Sequence, residues 1–431
     1  MFFVFFVVKP TTSIYPNGAI QANWFTLFNA VSFQITLGTP MILYAKSVGA
    51  TATVLGIIAA LTPLLTICQI PAAHYLERFG YKKFIFYGWG LRTFCIFVIA
   101  LVPLMGFLGN TGKIWVILAA LFIFNLLRGV SSGAWLPWIT ALIPETLRGR
   151  FLSRDQFCLH IGSLCSMLSC AVLLSENSHP WQFSAVFLLS AVGGWVSLLF
   201  LKYIPDIEPG EELKKSNLRV PWRAIVTYPP FFRLTLFVLL NAISVGCAGV
   251  FGVAFLKSRV HFGESRILYI STLYFLGAII TLPLVGRIID RTGNKRALAV
   301  SMGILTGMFL VWFLISAQAL DPSLLLINVL YFTGGIAGAA LAVAQLRLMM
   351  STMPEMGRSH FFAFFSVITS LGLGCAPIVW GVMIDALNHF SSVLGPLQWN
   401  KFSIYYFIQF VIVAAGFGFT RFLIDKKPRH S

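Results

Sequence analysis

The sequence predicts an all-α integral membrane protein in which twelve helices cross a bilayer as two similar six-helix halves. Three observations support this prediction. Of the 431 residues, 58% are hydrophobic and only 10% are charged, whereas a soluble domain carries about 25% charged residues. Apolar runs of bilayer length recur along the chain. Short sequences of the first half also return in the second half at a nearly constant spacing.

Twelve apolar runs approach the roughly 20 residues that a helix needs to cross a bilayer. We place the spans at 20–45, 52–76, 84–108, 114–142, 152–175, 183–203, 231–256, 266–288, 296–317, 323–347, 359–386 and 401–422. The longest hydrophilic stretch separates the sixth span from the seventh. The sequence therefore divides into a first bundle at 1–203, a cytoplasmic linker at 204–230 and a second bundle with its tail at 231–431. The apolar residues 1–8 are too short to cross and do not have the pattern of a secretory signal. We interpret them as a tail or a misassigned start.

The distribution of positive charge predicts the orientation. The chain has 31 Lys and Arg against 14 Asp and Glu, a formal net charge of +17. With both termini on one side, the loops and tails of that side hold 23 basic residues and the opposite loops hold 6. Because cytoplasmic loops carry the excess of Lys and Arg, both termini are predicted to be cytoplasmic. The basic residues are divided among short loops, so they predict contact with membrane lipid and no nucleic-acid partner.

Short matches relate the two halves. The sequence NAVS at Asn29–Ser32 returns as NAIS at Asn241–Ser244, and ERFG at Glu77–Gly80 returns as DRTG at Asp290–Gly293. Two shorter pairs also match, and all four offsets lie between 210 and 213 residues. Since each half holds an even number of helices, the repeats are parallel and their equivalent loops share a face of the membrane.

The loops after the second and eighth helices carry a motif of glycines, an acid and basic residues. The second copy follows G-x-x-x-D-R-x-G-R/K-R/K, apart from Asn294, through Gly286, Asp290, Arg291, Gly293, Lys295 and Arg296. The first copy keeps Arg78, Gly80, Lys82 and Lys83 and departs from the pattern at Ala73, Glu77 and Tyr81. In both loops the last glycine permits a tight reversal of the chain. The motif and the twelve-helix layout resemble the major facilitator superfamily.

This resemblance implies a transporter of two rocking bundles, with the first, fourth, seventh and tenth helices around a central cavity. It also implies a breakable cytoplasmic latch, in which the acid of the loop after the second helix faces the start of the eleventh helix and its repeat equivalent faces the start of the fifth. We add two residues from the sequence PETLRGR after the fourth helix. The predicted cytoplasmic gate comprises Glu77, Arg78, Gly80, Lys82, Glu145, Arg148, Gly286, Asp290, Arg291, Gly293 and Lys295.

Polar residues on the four inner helices mark a candidate substrate cavity. At about 100° per residue, those of the fourth helix fall within about 80° and those of the tenth within about 60°. Such stripes favour a shared aqueous cavity, although small polar residues also join helices inside membranes. The predicted cavity residues are Asn29, Asn125, Arg128, Ser132, Trp135, Asn241 and Tyr331.

Arg128 is the sharpest single signal, because a charge near the middle of a span costs several kcal/mol. It predicts contact with an anion or a carboxylate; the alternative is a structural arginine satisfied by neighbouring carbonyls or an amide. For Arg92, in the supporting third helix, a structural or latch role is favoured. No Asp or Glu lies in the middle of a span, since Asp155 opens the fifth helix and Asp385 closes the eleventh. Proton coupling would therefore need His160 or the substrate.

The predicted function is secondary transport of a small organic solute by alternating access, with anions as one candidate class. The alternative is a transporter-like receptor or scaffold that binds without net transport. No enzyme is predicted, because no convergent set of His, Cys and carboxylate groups stands out. The seven cysteines lie in apolar runs without a C-x-x-C pair, so neither a metal nor another cofactor is predicted. Short loops without an N-x-S/T sequon favour a bacterial cytoplasmic (inner) membrane, and the oligomeric state stays open, with a monomer sufficient.

Overall fold

A computed structural model describes residues 16–72, 75, 79–207, 228–352 and 358–424. Within these ranges it contains twelve helices that are long and apolar enough to cross a membrane, which confirms the predicted architecture. The helices are α1 Ala19–Ser47, α2 Ala52–Ala72, α3 Tyr81–Leu104, α4 Asn110–Ile139, α5 Arg150–Leu173, α6 Pro180–Lys202, α7 Pro229–Ser258, α8 Glu264–Thr292, α9 Asn294–Ser316, α10 Leu324–Thr352, α11 Phe364–Ala386 and α12 Lys401–Phe422. The helical backbone of α5 extends back to Glu145, and that of α11 to Arg358.

The even number of crossings places both ends of the described chain on one face, which we call the terminal face. The opposite face is called the distal face. Contacts between helix ends agree with this placement. Lys82, at the start of α3, donates through Nζ to the carbonyl of Lys202, the last residue of α6, and to that of Ile204 just beyond it, both at 2.8 Å. Lys295, at the start of α9, donates to the carbonyl of Arg421 near the end of α12 at 2.5 Å.

Several spanning helices are interrupted, a feature that the sequence did not predict. In α1, Gly38 adopts an extended backbone, and Pro40 lies in the first turn of the next segment, where its missing N–H needs no partner. In α7, a 3-10 turn occupies Val245–Cys247. A third interruption, in α4, lies between Ser132 and Trp135. The helical segments are Ala19–Leu37 and Thr39–Ser47 in α1, Asn110–Ser132 and Trp135–Leu142 in α4, and Pro229–Ser244 and Ala248–Ser258 in α7.

Each half of the chain packs into a bundle, and the two bundles meet along two lines. In the first half, α1 packs against α5 and α6, and α3 packs against α4 and α6. In the second half, α8 packs against α10, α9 against α12, and α7 against α11. Between the halves, α2 packs against α11 and α5 packs against α8. Because α2 corresponds to α8 and α5 to α11 in the internal repeat, the repeat relates the two lines to each other.

A short antiparallel hairpin on the distal face connects α11 to α12 and was not predicted. Its strands are β1 Ser391–Leu394 and β2 Leu397–Asn400. The turn contains Gly395 with a φ of +60°, a left-handed conformation that favours glycine. The N–H of Gln398 donates to the carbonyl of Ala317 at 2.9 Å, which attaches the hairpin to the end of α9.

Candidate functional site

A cavity of about 410 Å³ lies between the two bundles in the distal half of the span. Its walls come from α1 and from α7, α8, α9, α10 and α12, and the interruptions at Gly38 and Val245 lie on its surface. None of the described residues that line it is charged. We call it the aromatic chamber because its ring-bearing side chains are Tyr274, Phe275, Phe309, Trp312, Tyr331 and Tyr406.

Three of these rings form a corner of the aromatic chamber beside α7. The rings of Trp312 and Tyr406 stack at 5.6 Å with 14° between their planes, and Tyr331 meets Trp312 edge-on at 6.2 Å. Both tyrosine hydroxyls face Gly252, because a Cβ added there would lie 3.6 Å from Oη of Tyr331 and 3.8 Å from Oη of Tyr406. Tyr406 is 1% exposed, and its hydroxyl has no hydrogen-bond partner among the described residues.

A second cavity of about 530 Å³ adjoins the aromatic chamber on the side of the terminal face. The two cavities share Val245, Gly246, Tyr274 and Gly338. We call the second cavity the polar vestibule because its lining includes Asn241, Gln345, Ser366, Thr369 and Ser370. The Nδ2 of Asn241 lies 3.4 Å from Oε1 of Gln345, and the Oδ1 of Asn241 has no partner in the described part of the chain. Together the cavities extend from the distal half of the span toward the terminal face.

Two of the seven predicted cavity residues line these cavities: Tyr331 lies in the aromatic chamber and Asn241 in the polar vestibule. The other five belong to the first bundle and line neither cavity. Trp312 of α9 and Tyr406 of α12 also line the aromatic chamber and were not predicted from the sequence. An aromatic residue in an apolar span has the same pattern whether it faces lipid, the bundle core or a cavity, so no sequence signal distinguished them.

Asn125, Ser132 and Trp135, three of those five residues, have contacts with uncharged groups of the first bundle. The Oδ1 of Asn125 accepts a hydrogen bond from the hydroxyl of Thr62 at 2.8 Å, and the hydroxyl of Ser132 donates to the carbonyl of Gly129 at 3.2 Å. The ring of Trp135 packs within an aromatic cluster of the same bundle. Helix packing accounts for the contacts of Asn125 and Trp135, whereas the bond of Ser132 lies within its own helix. A role in substrate binding stays a prediction for all three.

Two arginines lie close together inside the first bundle. Arg92 is 1% exposed, and its Nη2 donates to Oδ1 of Asn29 at 2.5 Å. Its guanidinium lies 4.9 Å from the ring centre of Trp89 and 5.3 Å from that of Phe124, and its Nε has no partner among the described residues. Arg128 is half-buried and near enough for its charge to act on that of Arg92. Within the described chain Arg128 forms no hydrogen bond or ion pair. The two positive charges therefore have no described counter-ion.

At the terminal face, the described hydrogen bonds of Lys82, Lys295 and Arg347 join each of them to residues of its own bundle. Arg347 of α10 donates through Nη2 to Oδ1 of Asp290 at 2.7 Å and through Nη1 to the carbonyl of Gly286 at 3.3 Å. The resemblance implied that Asp290, as the repeat equivalent of the first loop acid, faces the start of the fifth helix. Its described partner comes from the end of α10. Gly80 and Gly293 have φ values of +72° and +86°, so both repeat-related turns use a conformation that favours glycine.

Three of the remaining gate residues lie at the ends of α3, α8 and α9. Arg291 lies in the last turn of α8, and Lys82 and Lys295 donate to the carbonyls given above. Outside the described residues lie Glu77 and Arg78, and the side chains of Glu145 and Arg148 are likewise outside the description. A latch role for the whole set stays a prediction.

At the distal face, the carboxylate of Asp385 at the end of α11 caps the first turn of α2 in the other bundle. It accepts hydrogen bonds from the backbone N–H groups of Ala52 at 3.0 Å and Thr53 at 2.7 Å, and from the hydroxyl of Thr53 at 2.7 Å. The first N–H groups of a helix have no partner within it and carry the positive end of its dipole. The carboxylate satisfies two of them and joins the bundles, a contact that we call the α2–α11 closure.

A second contact, the α5–α8 closure, joins the bundles at the same face. The N–H of Ser265 donates to the carbonyl of Ser175 at 3.3 Å, and its hydroxyl donates to the carbonyl of Ala171 at 2.6 Å. Ser265 follows Thr53 by 212 residues and Asp385 follows Ser175 by 210, which is the spacing of the internal repeat. The two closures are therefore repeat-related, with a carboxylate as acceptor in one and backbone carbonyls in the other.

Twelve spanning helices in two repeat-related bundles, with a cavity between them, define a transporter-type membrane fold. The family model for the Major Facilitator Superfamily matches residues 24–265 and 234–431, and the chain belongs to this family.

Among curated proteins the relatives are distant. The chain is 28% identical over 156 residues to the uncharacterized MFS-type transporter YvkA of Bacillus subtilis (strain 168), covering 35% of this chain and 33% of that protein. It is 22% identical over 312 residues to the multi-drug resistance efflux pump PmrA homolog of Lactococcus lactis subsp. lactis (strain IL1403), covering 68% of this chain and 70% of that protein. The chain thus spans about a third of the first relative and just over two thirds of the second.

Solved structures share the fold at low sequence identity. A D-xylose-proton symporter aligns with a TM-score of 0.72 at 14% identity, covering 95% of this chain and 98% of the symporter. A bacterial homologue of the iron transporter ferroportin in an inward-facing state aligns with a TM-score of 0.68 at 14% identity, covering 94% and 98%. At this identity the likeness concerns the fold alone.

Proposed function

We propose that the protein is a secondary transporter that moves a small organic solute across the membrane by alternating access. The observation that carries this proposal is the asymmetry between the two faces. The two closures join the bundles at the distal face, while the aromatic chamber and the polar vestibule lie between those closures and the terminal face. A solute in the chamber would be shielded on the distal side and would exchange through the vestibule. Opening both closures would expose the same site to the distal side.

The unpaired arginines favour an organic anion as the transported solute, with its anionic group at Arg128 and only an uncharged part in the aromatic chamber. A charge inside a membrane span costs several kcal/mol unless it is paired or hydrated, and Arg92 and Arg128 have no described counter-ion. The guanidinium of Arg128 is half-buried, so it can offer two parallel N–H donors to a carboxylate or phosphate. Arg92, held by Asn29, adds to the positive potential without needing to contact the solute.

We also propose that the terminal face is cytoplasmic and that the membrane is a bacterial cytoplasmic (inner) membrane. The 23 basic residues of that side against 6 on the other support this orientation. A green fluorescent protein fused to the C-terminus is expected to fluoresce, whereas alkaline phosphatase fused there is expected to be inactive. Phosphatase inserted after Asp321, in the distal loop between α9 and α10, serves as the control and is expected to be active. The reverse pattern would contradict the orientation.

Two questions remain for the proposed transporter: whether it exports or imports its solute, and whether the protein instead binds a ligand without transporting it. The Lactococcus relative is named as an efflux pump, so export is the direction that we propose to test first. The receptor or scaffold alternative predicts a ligand that binds but does not cross.

The purified protein is to be screened by thermal unfolding against organic anions and neutral solutes. A solute at about 100 times its dissociation constant stabilises a protein by about 2.7 kcal/mol, which such a screen detects. Each hit is then tested for exchange between labelled solute inside and unlabelled solute outside reconstituted liposomes. Exchange is expected for a transporter, and protein-free liposomes give the background. A solute that binds tightly and shows no exchange would favour the receptor alternative.

A further inference from the structure

The aromatic chamber differs in chemistry from the arginine pair. None of the described residues that line the chamber is charged, and Arg128 lines neither the chamber nor the vestibule. An ion that entered the chamber would lose hydration without gaining a counter-charge, which is strongly unfavourable. An uncharged group would lose far less. The chamber therefore selects against charge on whatever part of a ligand enters it.

The rings of the chamber also select for shape. Trp312 and Tyr406 are nearly parallel, at 14°, and Tyr331 stands edge-on to Trp312. Aromatic groups prefer stacked or edge-to-face contacts with one another, so this corner offers both geometries to a flat ring. A volume of about 410 Å³ lies within the range of small-molecule pockets, roughly 300–1,000 Å³.

Two polar groups in the same corner of the chamber would fix the orientation of a bound ligand. The hydroxyls of Tyr331 and Tyr406 both face Gly252, and the hydroxyl of Tyr406 is buried without a described partner. A buried hydroxyl without a hydrogen bond carries a desolvation penalty that a ligand acceptor or donor would relieve. Because Gly252 has no side chain, a substituent of the ligand can approach both hydroxyls at once.

We propose that the aromatic chamber binds an uncharged, flat ring with a hydrogen-bonding substituent. The hydroxyls of Tyr331 and Tyr406 form hydrogen bonds with that substituent. That this ring belongs to the transported solute rests on the proposed function. The binding of the ring itself does not rest on it, so the two are tested separately.

The probe is benzamide, a flat uncharged ring with an amide, added to the full-length protein in detergent. Its affinity is to be measured by ligand-detected NMR and compared with two relatives. Cyclohexanecarboxamide keeps the amide but lacks the flat ring, and benzylammonium keeps the ring but carries a charge. Cyclohexanecarboxamide cannot stack on the rings, and benzylammonium meets no counter-charge in the chamber. Each is therefore expected to bind about tenfold or more weakly than benzamide. Equal affinity for all three would overturn the proposal.

A pair of matched variants locates the site. Gly249 lines the chamber and Gly307 of α9 does not, and a Cβ added at either position meets no atom within 4 Å. Gly249→Leu is expected to fill the chamber and abolish benzamide binding, whereas Gly307→Leu is expected to bind like the wild type. Thermal unfolding of both variants checks that they fold. Benzamide binding that survives Gly249→Leu in a folded protein would place the ring elsewhere and overturn the proposal.

Tyr406→Phe tests the hydroxyl independently of the filled chamber. Benzamide affinity is expected to fall about fivefold to tenfold through the lost hydrogen bond. The unfolding temperature is expected to stay the same or rise, because the hydroxyl has no described partner in the protein. Unchanged affinity would remove this hydroxyl from the proposal.

The outcomes separate the two proposals. If Gly249→Leu no longer binds benzamide but no solute exchanges in liposomes, the ring site stands and the transporter proposal fails. If solute exchange is found and is the same in wild type and Gly249→Leu, the transporter stands and the ring site is not part of its path.

Discussion

Replacing Asp385 with Asn is expected to lower the equilibrium ratio of the distal-closed to the distal-open state by a factor of about 5–30. The carboxylate accepts three hydrogen bonds from the first turn of α2, and a charged acceptor at a helix N-terminus contributes about 1–2 kcal/mol. A free energy of that size corresponds to a factor of about 5–30 in an equilibrium. An amide keeps one acceptor oxygen but loses the charge and half of the acceptors. In the proposed distal-open state the ends of α2 and α11 would separate and this contact would be lost, so the change is expected to act on the balance between the two states.

The readout is the labelling of a cysteine placed at Ser271, which lines the aromatic chamber below the closures. A membrane-impermeant maleimide applied from the distal side is to be used, in a variant whose native cysteines have been replaced. Labelling is expected to be faster in Asp385→Asn. The matched control is Asp321→Asn, which removes the same charge from an exposed loop of the same face. Equal labelling rates in all three proteins would show that the α2–α11 closure does not govern access.

Replacing Arg128 with Ala is expected to abolish binding of an anionic solute while leaving the protein folded. Removing one partner of a buried charge pair costs about 2–5 kcal/mol in binding, which is about thirtyfold or more in affinity. The unfolding temperature is expected to stay the same or rise, because the variant removes a charge that has no described counter-ion within the span. The measurement is the thermal stabilisation of wild type and variant by the same anion.

Arg128→Lys is the matched control for this prediction. A lysine keeps the charge but loses the paired N–H donors, so it is expected to retain part of the affinity. Neutral ligands of the aromatic chamber are expected to bind Arg128→Ala and the wild type equally. An anion that binds Arg128→Ala as tightly as the wild type would end the anion proposal and leave the rest of the transport proposal intact.

The spans could be predicted from the sequence because a bilayer fixes both the length and the composition of a crossing helix. The interruption of α1 at Gly38 could not, because glycine also occurs inside continuous membrane helices and the extended conformation depends on packing. The α2–α11 closure was missed for a related reason. Asp385 was recognised at the end of its helix, but its partners are mostly backbone N–H groups, which have no sequence signature.

The candidate site was only partly predictable. Tyr331 and Asn241 lie on helices that the resemblance placed at the centre, and both line the observed cavities. Asn125 shares the same kind of polar stripe but bonds to Thr62 within its bundle. A polar stripe on a membrane helix has two physical explanations, hydration and helix packing, and only the position of the neighbouring helix decides between them.

Gly249 and Gly252 line the aromatic chamber, and their position determines how its selectivity can be altered. The chamber owes part of its size to side chains that are absent at Gly249 and Gly252, rather than to large residues held apart. At Gly252 a methyl group would make ordinary van der Waals contacts with two tyrosine oxygens, so alanine fits without moving the backbone. A single replacement at either glycine can therefore narrow the range of accepted rings at little cost to folding. The same single replacements therefore offer a route to engineered variants with an altered ring preference.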